Sequence, residues 1–303
     1  MSNLVVFRQH EPGTRVDFGE PISVVPLDEV MRRHPSRAIV IHHSPGDRTM
    51  RAPIAAAVTV VILCADGVRY GVEQIAVRSA CAAASLPSIV RNLARGDVPT
   101  SIWWVDDLSH TALLPTVVEM GRQLIYDSRM WRDIRRGVLA LAPLIERTHA
   151  PDFADLNWRR LTPLRQALVH AAETIAPGTL APNEARIAHR AGDEPLAWLL
   201  GGWLSSRPGN DSKADIQIHV EETARDDEIL TLSFAAMAAS MNRQRVVVEA
   251  SAGMPPVRLP VRHESNADAV VAELGTLSHD VCLRDALAAL VRHFGRRSAE
   301  VSA

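Results

Sequence analysis

The stretch Thr100–Asp127, TSIWWVDDLSHTALLPTVVEMGRQLIYD, sets a strand, a helix and a strand in succession. Thr100–Val105 is a β-branched and aromatic run, Leu113–Gly121 is helical, and Arg122–Asp127 (RQLIYD) is a second strand. The same alternation extends on both sides. Upstream, Leu27, Val30 and Met31 suit a short amphipathic helix that stops before Pro35, and Ser36–His43 (SRAIVIHH) is a strand. Ile54–Cys64 and Val68–Val77 are two more strands joined through Ala65-Asp66-Gly67, and Asp-Gly predicts an antiparallel hairpin. A helix follows, with Ser85 as its cap, Leu86, Ile89, Val90 and Leu93 apolar, and Gly96 as its stop. Downstream, the spacing of Trp131, Ile134, Val138, Leu141 and Ile145 predicts a long helix over Arg129–Thr148, kinked at Pro143. Strands alternating with helices predict a mixed sheet covered by helices.

The second half reads differently. Ala150–Asp155 is a Pro- and Asp-bearing connector, and Thr162-Pro163 starts a helix with Leu161, Leu164, Leu168 and Ile175 on its buried stripe. Residues 176–183 read as a loop. Pro195–Ser206 (PLAWLLGGWLSS) is apolar nearly all round, so it is buried on most sides, and Gly201-Gly202 admits another backbone at close range. Strands at Asp215–Thr223, Glu228–Ala235, Gln244–Ala250 and Pro256–Arg262 form an antiparallel meander, followed by helices at Ala267–Leu277 and Val281–Phe294, the last capped by Asp280. The expected fold is α/β (α+β) in two domains. An N-terminal mixed sheet covered by helices spans 1–152, its first ~20 residues loosely ordered, and a C-terminal antiparallel sheet with packed helices spans 153–303.

Composition narrows the function. The 303 residues carry a formal net charge of −2, which offers no bulk attraction for nucleic acid or an anionic membrane. The longest apolar run, Ala52–Ala65, is shorter than the ~20 residues that cross a bilayer, and no secretory signal opens the chain, so a cytoplasmic protein is expected. Cys64, Cys81 and Cys282 are scattered and form no C-x-x-C pair, which fits a reducing compartment. Lys213 is the single lysine, so neither a Schiff base nor a P-loop lysine is in prospect.

The sequence holds no G-x-G-x-x-G, P-loop, G-x-S-x-G or H-E-x-x-H motif. His42 and His43 are adjacent on a strand, point to opposite faces and do not converge on a metal. Glu73 lies mid-strand, where exposure or a structural hydrogen bond is expected. Arg129, Arg132 and Arg136 share one helix face. All six tryptophans fall between 103 and 203, and Trp103 and Trp104 point to opposite faces, one of them open to a partner or a neighbouring domain. Trp158-Arg159-Arg160 combines residue types favoured at protein interfaces. No catalytic, cofactor or metal site is assigned from these residues. The candidate partner-binding residues are Trp158, Arg159, Arg160, Arg165 and Trp104.

Several stretches in order resemble the glucose-6-phosphate dehydrogenase assembly protein (OpcA) family. They are RHPSRAIVI (Arg33–Ile41), VEQIAV (Val72–Val77), LPSIVRNLARGDVPTSIWW (Leu86–Trp104), RQLIYDS (Arg122–Ser128), DLNWRRLTPLR (Asp155–Arg165) and LAWLLGGWLSSR (Leu196–Arg207). The chain departs from the family at Val72, often cysteine in members, and at the polar Pro208-Gly209-Asn210-Asp211, where an aromatic often follows. The resemblance implies a non-catalytic factor that binds glucose-6-phosphate dehydrogenase and favours its active oligomer in the oxidative pentose phosphate pathway. The alternatives are a protein or enzyme that recognises a phosphorylated sugar or nucleotide through arginines, and a purely structural subunit of the dehydrogenase complex.

Overall fold

The computed structural model describes residues 2–12, 14, 26–47, 50–65, 67–147, 150–173, 184–207, 216–222, 227–250, 255–276 and 279–301. In chain order its elements are β1 (Ser2–Gln9), α1 (Leu27–Arg33), β2 (Ser36–His43), β3 (Ile54–Ala65), β4 (Val68–Ser79), α2 (Leu86–Leu93), β5 (Thr100–Trp104), α3 (Leu114–Val117), β6 (Gln123–Tyr126) and α4 (Ile134–Ile145). They continue as β7 (Asp152–Asp155), α5 (Leu156–Arg160), α6 (Thr162–Glu173), β8 (Glu184–His189), α7 (Glu194–Ser205) and β9 (Gln217–Glu222). The last are β10 (Leu230–Phe234), β11 (Met237–Met241), β12 (Arg245–Ala250), β13 (Val257–Pro260), α8 (Asn266–Gly275) and α9 (Val281–Val301). Asp66, Thr148, Ile175, residues 176–183, residues 208–211 and Lys213 lie outside the described residues.

The chain folds into two compact units, each built from separated segments. Unit 1 comprises Met1–Met130, Arg147–Leu156 and Glu264–His279, and unit 2 comprises Trp131–Glu146, Asn157–His263 and Asp280–Ala303. The boundary expected between 152 and 153 falls inside β7 of unit 1.

Unit 1 is a seven-stranded sheet of order β3-β4-β2-β1-β5-β6-β7. All neighbours are parallel except β3, which runs antiparallel to β4 as the hairpin signal predicts. Strand order reverses at β1, the centre of a doubly wound arrangement. The expectation of loose order in the first ~20 residues is corrected for residues 2–9. Leu4, Val5, Val6 and Phe7 are fully buried, because a central parallel strand is covered on both faces and reads as a continuous apolar run. Buried Asn3 fixes its start: its side-chain amide donates to Arg95 O (2.9 Å) and its side-chain oxygen accepts from Arg95 N (3.0 Å). The expected connector 150–155 is also corrected, since β7 extends the parallel sheet beside β6. On one face, α1 and α8 cover Leu4, Val6, Val40, Trp103 and Ile125 with Met31, Val270 and Leu274. Gln123 ties α8 to the sheet, accepting from Ser101 Oγ (2.8 Å) and donating to Glu273 O (3.1 Å).

Unit 2 carries a six-stranded sheet of order β13-β12-β11-β10-β8-β9. The expected meander is found from β10 to β13, with β11 as an additional strand, whereas β9 pairs in parallel with β8. Burial alternates along β8, β10 and β11, as it does in a sheet with one covered face. There α6 packs on β12 and β13, and α7 on β8 and β9. The predicted helix over Arg129–Thr148 is shorter: Asp133 accepts from Arg136 N (3.0 Å) and starts α4 at Ile134. Arg129 sits in a preceding 3₁₀ turn and Arg132 precedes the cap, so the shared face with Arg136 does not exist.

Pro195–Leu204 of α7 is buried throughout, as its all-round apolarity requires. Gly202 admits a backbone: a Cβ there would sit 2.6 Å from Ala286 O and 2.7 Å from Leu290 Cγ on α9. Gly202→Ala is therefore expected to destabilise unit 2 by about 1–3 kcal/mol through overpacking, although alanine is the better helix former. Urea unfolding checks this against Gly96→Ala, where a Cβ meets nothing within 4 Å and the midpoint should barely move.

Candidate functional site

Two places concentrate polar chemistry, one in each unit. The first lies at the carboxyl ends of β1, β2 and β5, where open α/β sheets bind ligands at the reversal of strand order. Here Asp106, just past β5, accepts from Gln9 N (2.7 Å) and pairs with Arg8 Nη2 (3.3 Å). Thr111 Oγ1 donates to Gln9 Oε1 at 2.7 Å. In a dinucleotide-binding turn the backbone N–H groups after the first strand face a pyrophosphate. In this chain the N–H of Gln9, the last residue of β1, donates to a carboxylate.

His42, next to last in β2, lies in the same row as Arg8 of β1 and Arg78 of β4. Its Nδ1 lies 3.0 Å from His10 Nε2, and the two rings stack with centroids 5.3 Å apart. Burial, then the charges of His10, Arg8 and Arg78, push its pKa down to about 4. His43 points to the other face, as adjacent strand residues must, and burial lowers its pKa as well. Glu73 takes the structural role expected of it, in an ion pair with Arg37 Nε at 3.0 Å. Gln9, His10, Asp106 and Thr111 escaped the sequence reading, because their convergence depends on β1 being the central strand.

The second place is in unit 2, around Trp158. The side chain is only 3% exposed. Its indole Nε1 donates to Asp280 Oδ2 at 2.8 Å, and Asp280 Oδ1 accepts from Leu283 N at 2.9 Å, capping α9 as the sequence predicts. The Arg165 guanidinium lies over the indole with Cζ 3.7 Å from the ring centroid, and its Nη2 donates to Thr162 Oγ1 (3.2 Å). Burial lowers the Arg165 pKa, while Asp280 and Cys282 oppose that. Arg159 and Arg160 are half-buried at the end of α5, and Arg160 Nη1 donates to Asn157 Oδ1 at 3.3 Å. Of the predicted partner-binding residues, Trp158 and Arg165 are therefore in contact, with Arg159 and Arg160 adjacent in sequence. Trp104 belongs to unit 1. It is 1% exposed, its ring 4.7 Å from that of Phe7, and Trp103 is 4% exposed, so neither presents the open face expected of one of them.

Among the described residues, no group of three or more His, Cys, Asp or Glu could hold a metal ion, and no helix is long and apolar enough to cross a membrane.

The chain shares its fold with a 3-ketoreductase from Actinomadura kijaniata in complex with TDP-benzene and NADP, at 11% identity and a TM-score of 0.51, over 98% of each chain. A dehydrogenase from Clostridium difficile aligns at 7% identity, a TM-score of 0.45 and 99% of each chain. UDP-N-acetylglucosamine 3-dehydrogenase from Acidithiobacillus ferrooxidans aligns at 13% identity and a TM-score of 0.36, over 63% of this chain and 76% of its own. No curated protein matches the chain. Residues 27–143 match the family model described as glucose-6-phosphate dehydrogenase subunit N-terminal domain, and residues 151–287 match the corresponding C-terminal domain. With both domains present in order and together spanning most of its length, the chain belongs to the OpcA family of glucose-6-phosphate dehydrogenase assembly proteins.

Proposed function

We propose that the protein has no catalytic centre of its own and acts in the cytoplasm by binding glucose-6-phosphate dehydrogenase and favouring its active oligomer in the oxidative pentose phosphate pathway. The observation that carries this reading is the consecutive match to the two domains of a dehydrogenase-subunit family. A tenfold shift in the partner's assembly equilibrium needs about 1.4 kcal/mol of preference for one oligomeric state, which a modest patch supplies.

The proposed patch is the arginine-bearing surface of α5 and α6, with Arg159, Arg160 and Arg165 supported by Trp158 and Asp280. Trp104, buried in unit 1, acts only by supporting its own sheet. The test is the activity and sedimentation of the dehydrogenase from the same cell, with and without the purified chain. Wild-type chain is expected to co-sediment with the dehydrogenase and raise its activity. Arg159→Ala with Arg160→Ala is expected to weaken activation about tenfold while leaving the free energy of unfolding in urea within about 0.5 kcal/mol. Unchanged activation by that variant removes the site, and absence of any contact between wild-type chain and dehydrogenase removes the function.

A further inference from the structure

The two sheets have four edge strands, and three are guarded against pairing with another chain. In unit 1, β7 is four residues long, buried, and carries Asp152 and Asp155. In unit 2, β13 is four residues long and contains Arg258 and Pro260, and β9 carries Glu221 and Glu222. Short length, proline and charge are the usual devices that keep an edge solitary. The fourth edge, β3, has none of them. It is twelve residues long, reads IAAAVTVVILCA, and contains no charge and no proline.

Its exposed large side chains are apolar and lie on one face, with exposed Thr59 on the other. Ile54, Val58, Val60 and Ile62 are 40%, 62%, 63% and 71% exposed, four of the seven exposed large hydrophobic residues among the described ones. Exposed Cys64 continues the same face. The other face is anchored: Leu63 and Val72 lie in the core with Met31, and Tyr70 Oη donates to Arg32 O at 2.6 Å. β2 pairs with β4 only over Gln74–Ser79, so Val60–Ala65 and Val68–Glu73 form a two-stranded arm beyond it, held to α1 from one side. Ala65 and Val68 are the pair next to the turn, and hydrogen-bonded and non-bonded pairs alternate from there. A two-residue turn closes on a bonded pair, so the odd residues bond to β4 and the even ones aim N–H and C=O at the free edge.

We infer that β3 pairs antiparallel with β3 of a second copy of this chain, joining the two seven-stranded sheets across a two-fold axis at Val60. The strand is its own complement. In that register Val60 meets Val60 of the second copy, Val58 meets Ile62 and Ala56 meets Cys64, all from the face exposed in the single chain. The outward groups of the even residues then meet as hydrogen-bonded pairs. No row sets like charges on adjacent strands: Glu73, level with Val60, has two strands between it and its symmetry mate and is held by Arg37. Pro53, just before the strand, has no N–H and ends the ladder. A strand without charge also has nothing with which to select a different, charged partner.

Sedimentation of the purified chain at about 100 µM tests this without any dehydrogenase present. The expected mass is twice 33.1 kDa. Val58→Lys with Ile62→Lys is expected to weaken self-association at least 100-fold, and at a dilution where both proteins are monomeric the urea midpoint is expected to be unchanged because both side chains are exposed in the single chain. In a Cys64→Ser background, Val60→Cys should form an interchain disulfide on mild oxidation. Ile54→Cys, which lies opposite the turn in this register, should not, nor should the background alone. A monomer at 100 µM, a dimer indifferent to the lysine pair, or equal cross-linking at 54 and 60 overturns the proposal. The test reads self-association alone, so its failure leaves the proposed role toward the dehydrogenase standing, and failure of that role leaves the dimer standing.

Discussion

Replacing Trp158 with alanine is expected to destabilise unit 2 by about 3–5 kcal/mol, the range for removing a large buried aromatic side chain. The side chain contributes in three ways at once. It is 3% exposed, so its removal opens a cavity. Its Nε1 donates to Asp280 Oδ2, and without it a carboxylate that also caps α9 loses a donor. Its ring carries the Arg165 guanidinium at 3.7 Å, and without the ring that partly buried charge loses its platform. Trp158→Phe keeps an aromatic ring but loses the N–H and part of the buried volume, so about 2–3 kcal/mol is expected. Urea denaturation of the three proteins measures the order, and a Trp158→Ala loss below 1 kcal/mol would show that Trp158 is not the support claimed. A loss of dehydrogenase activation in Trp158→Ala would therefore report unfolding as readily as a lost contact. The arginine pair, whose side chains are half-buried and whose removal leaves no large cavity, discriminates between the two.

The local chemistry of this region was legible in the sequence, and its assembly was not. Thr162-Pro163 marked the start of α6, and Asp280 marked the cap of α9, because capping signals act within one turn of chain. That Asp280 also receives the indole of Trp158, 122 positions away, follows from tertiary packing with no local signature. The same division explains the strands. β3 and β4 announce themselves by long β-branched runs around Asp-Gly. β1 offers only four consecutive apolar residues beside a polar, Gly/Pro-broken segment, and β7 only four residues in all, too few for periodicity to decide. β8 did carry a usable signal, with Ala185, Ile187 and His189 buried on alternate positions of EARIAHR. Missing β1 had the largest consequence, because the row Arg8–His42–Arg78 and the contacts of Gln9 with Asp106 and Thr111 exist only once β1 is placed between β2 and β5. The expected two-part α/β architecture is found, with each part assembled from separated segments. No pattern within one helix or strand states which core it joins.

Stability is expected to fall steeply as pH drops from about 6.5 towards 4, and His42 is the group responsible for much of that fall. Burial comes first among the causes, and then the positive charges of His10, Arg8 and Arg78. Together they push its pKa down from 6.5 to about 4. The imidazole is thus neutral in the folded protein at pH values where it would be charged in the unfolded chain. Between those two values the unfolded state binds more protons, so acid favours unfolding. The contribution of His42 is fully present above pH 6.5, declines through the window, and is flat below pH 4. With 1.36 kcal/mol for each pH unit of displacement, the loss is on the order of 3 kcal/mol. His34 and His43 are lowered by burial too, and they steepen the slope in the same direction. Protonation adds a charge among basic groups: His10 stacks on the ring, and Arg8 and Arg78 flank it on β1 and β4. Asp106 is engaged by Arg8 and Gln9 N. Carboxylate protonation adds its own loss at the acidic end of this range, so the informative comparison is with His42→Gln, which cannot titrate. Its urea midpoint should fall between pH 7 and pH 4.5 by markedly less than that of the wild type, the difference approaching 3 kcal/mol. Parallel curves for the two proteins would mean that His42 is charged in the fold and that the row of three basic residues does not exert the field described.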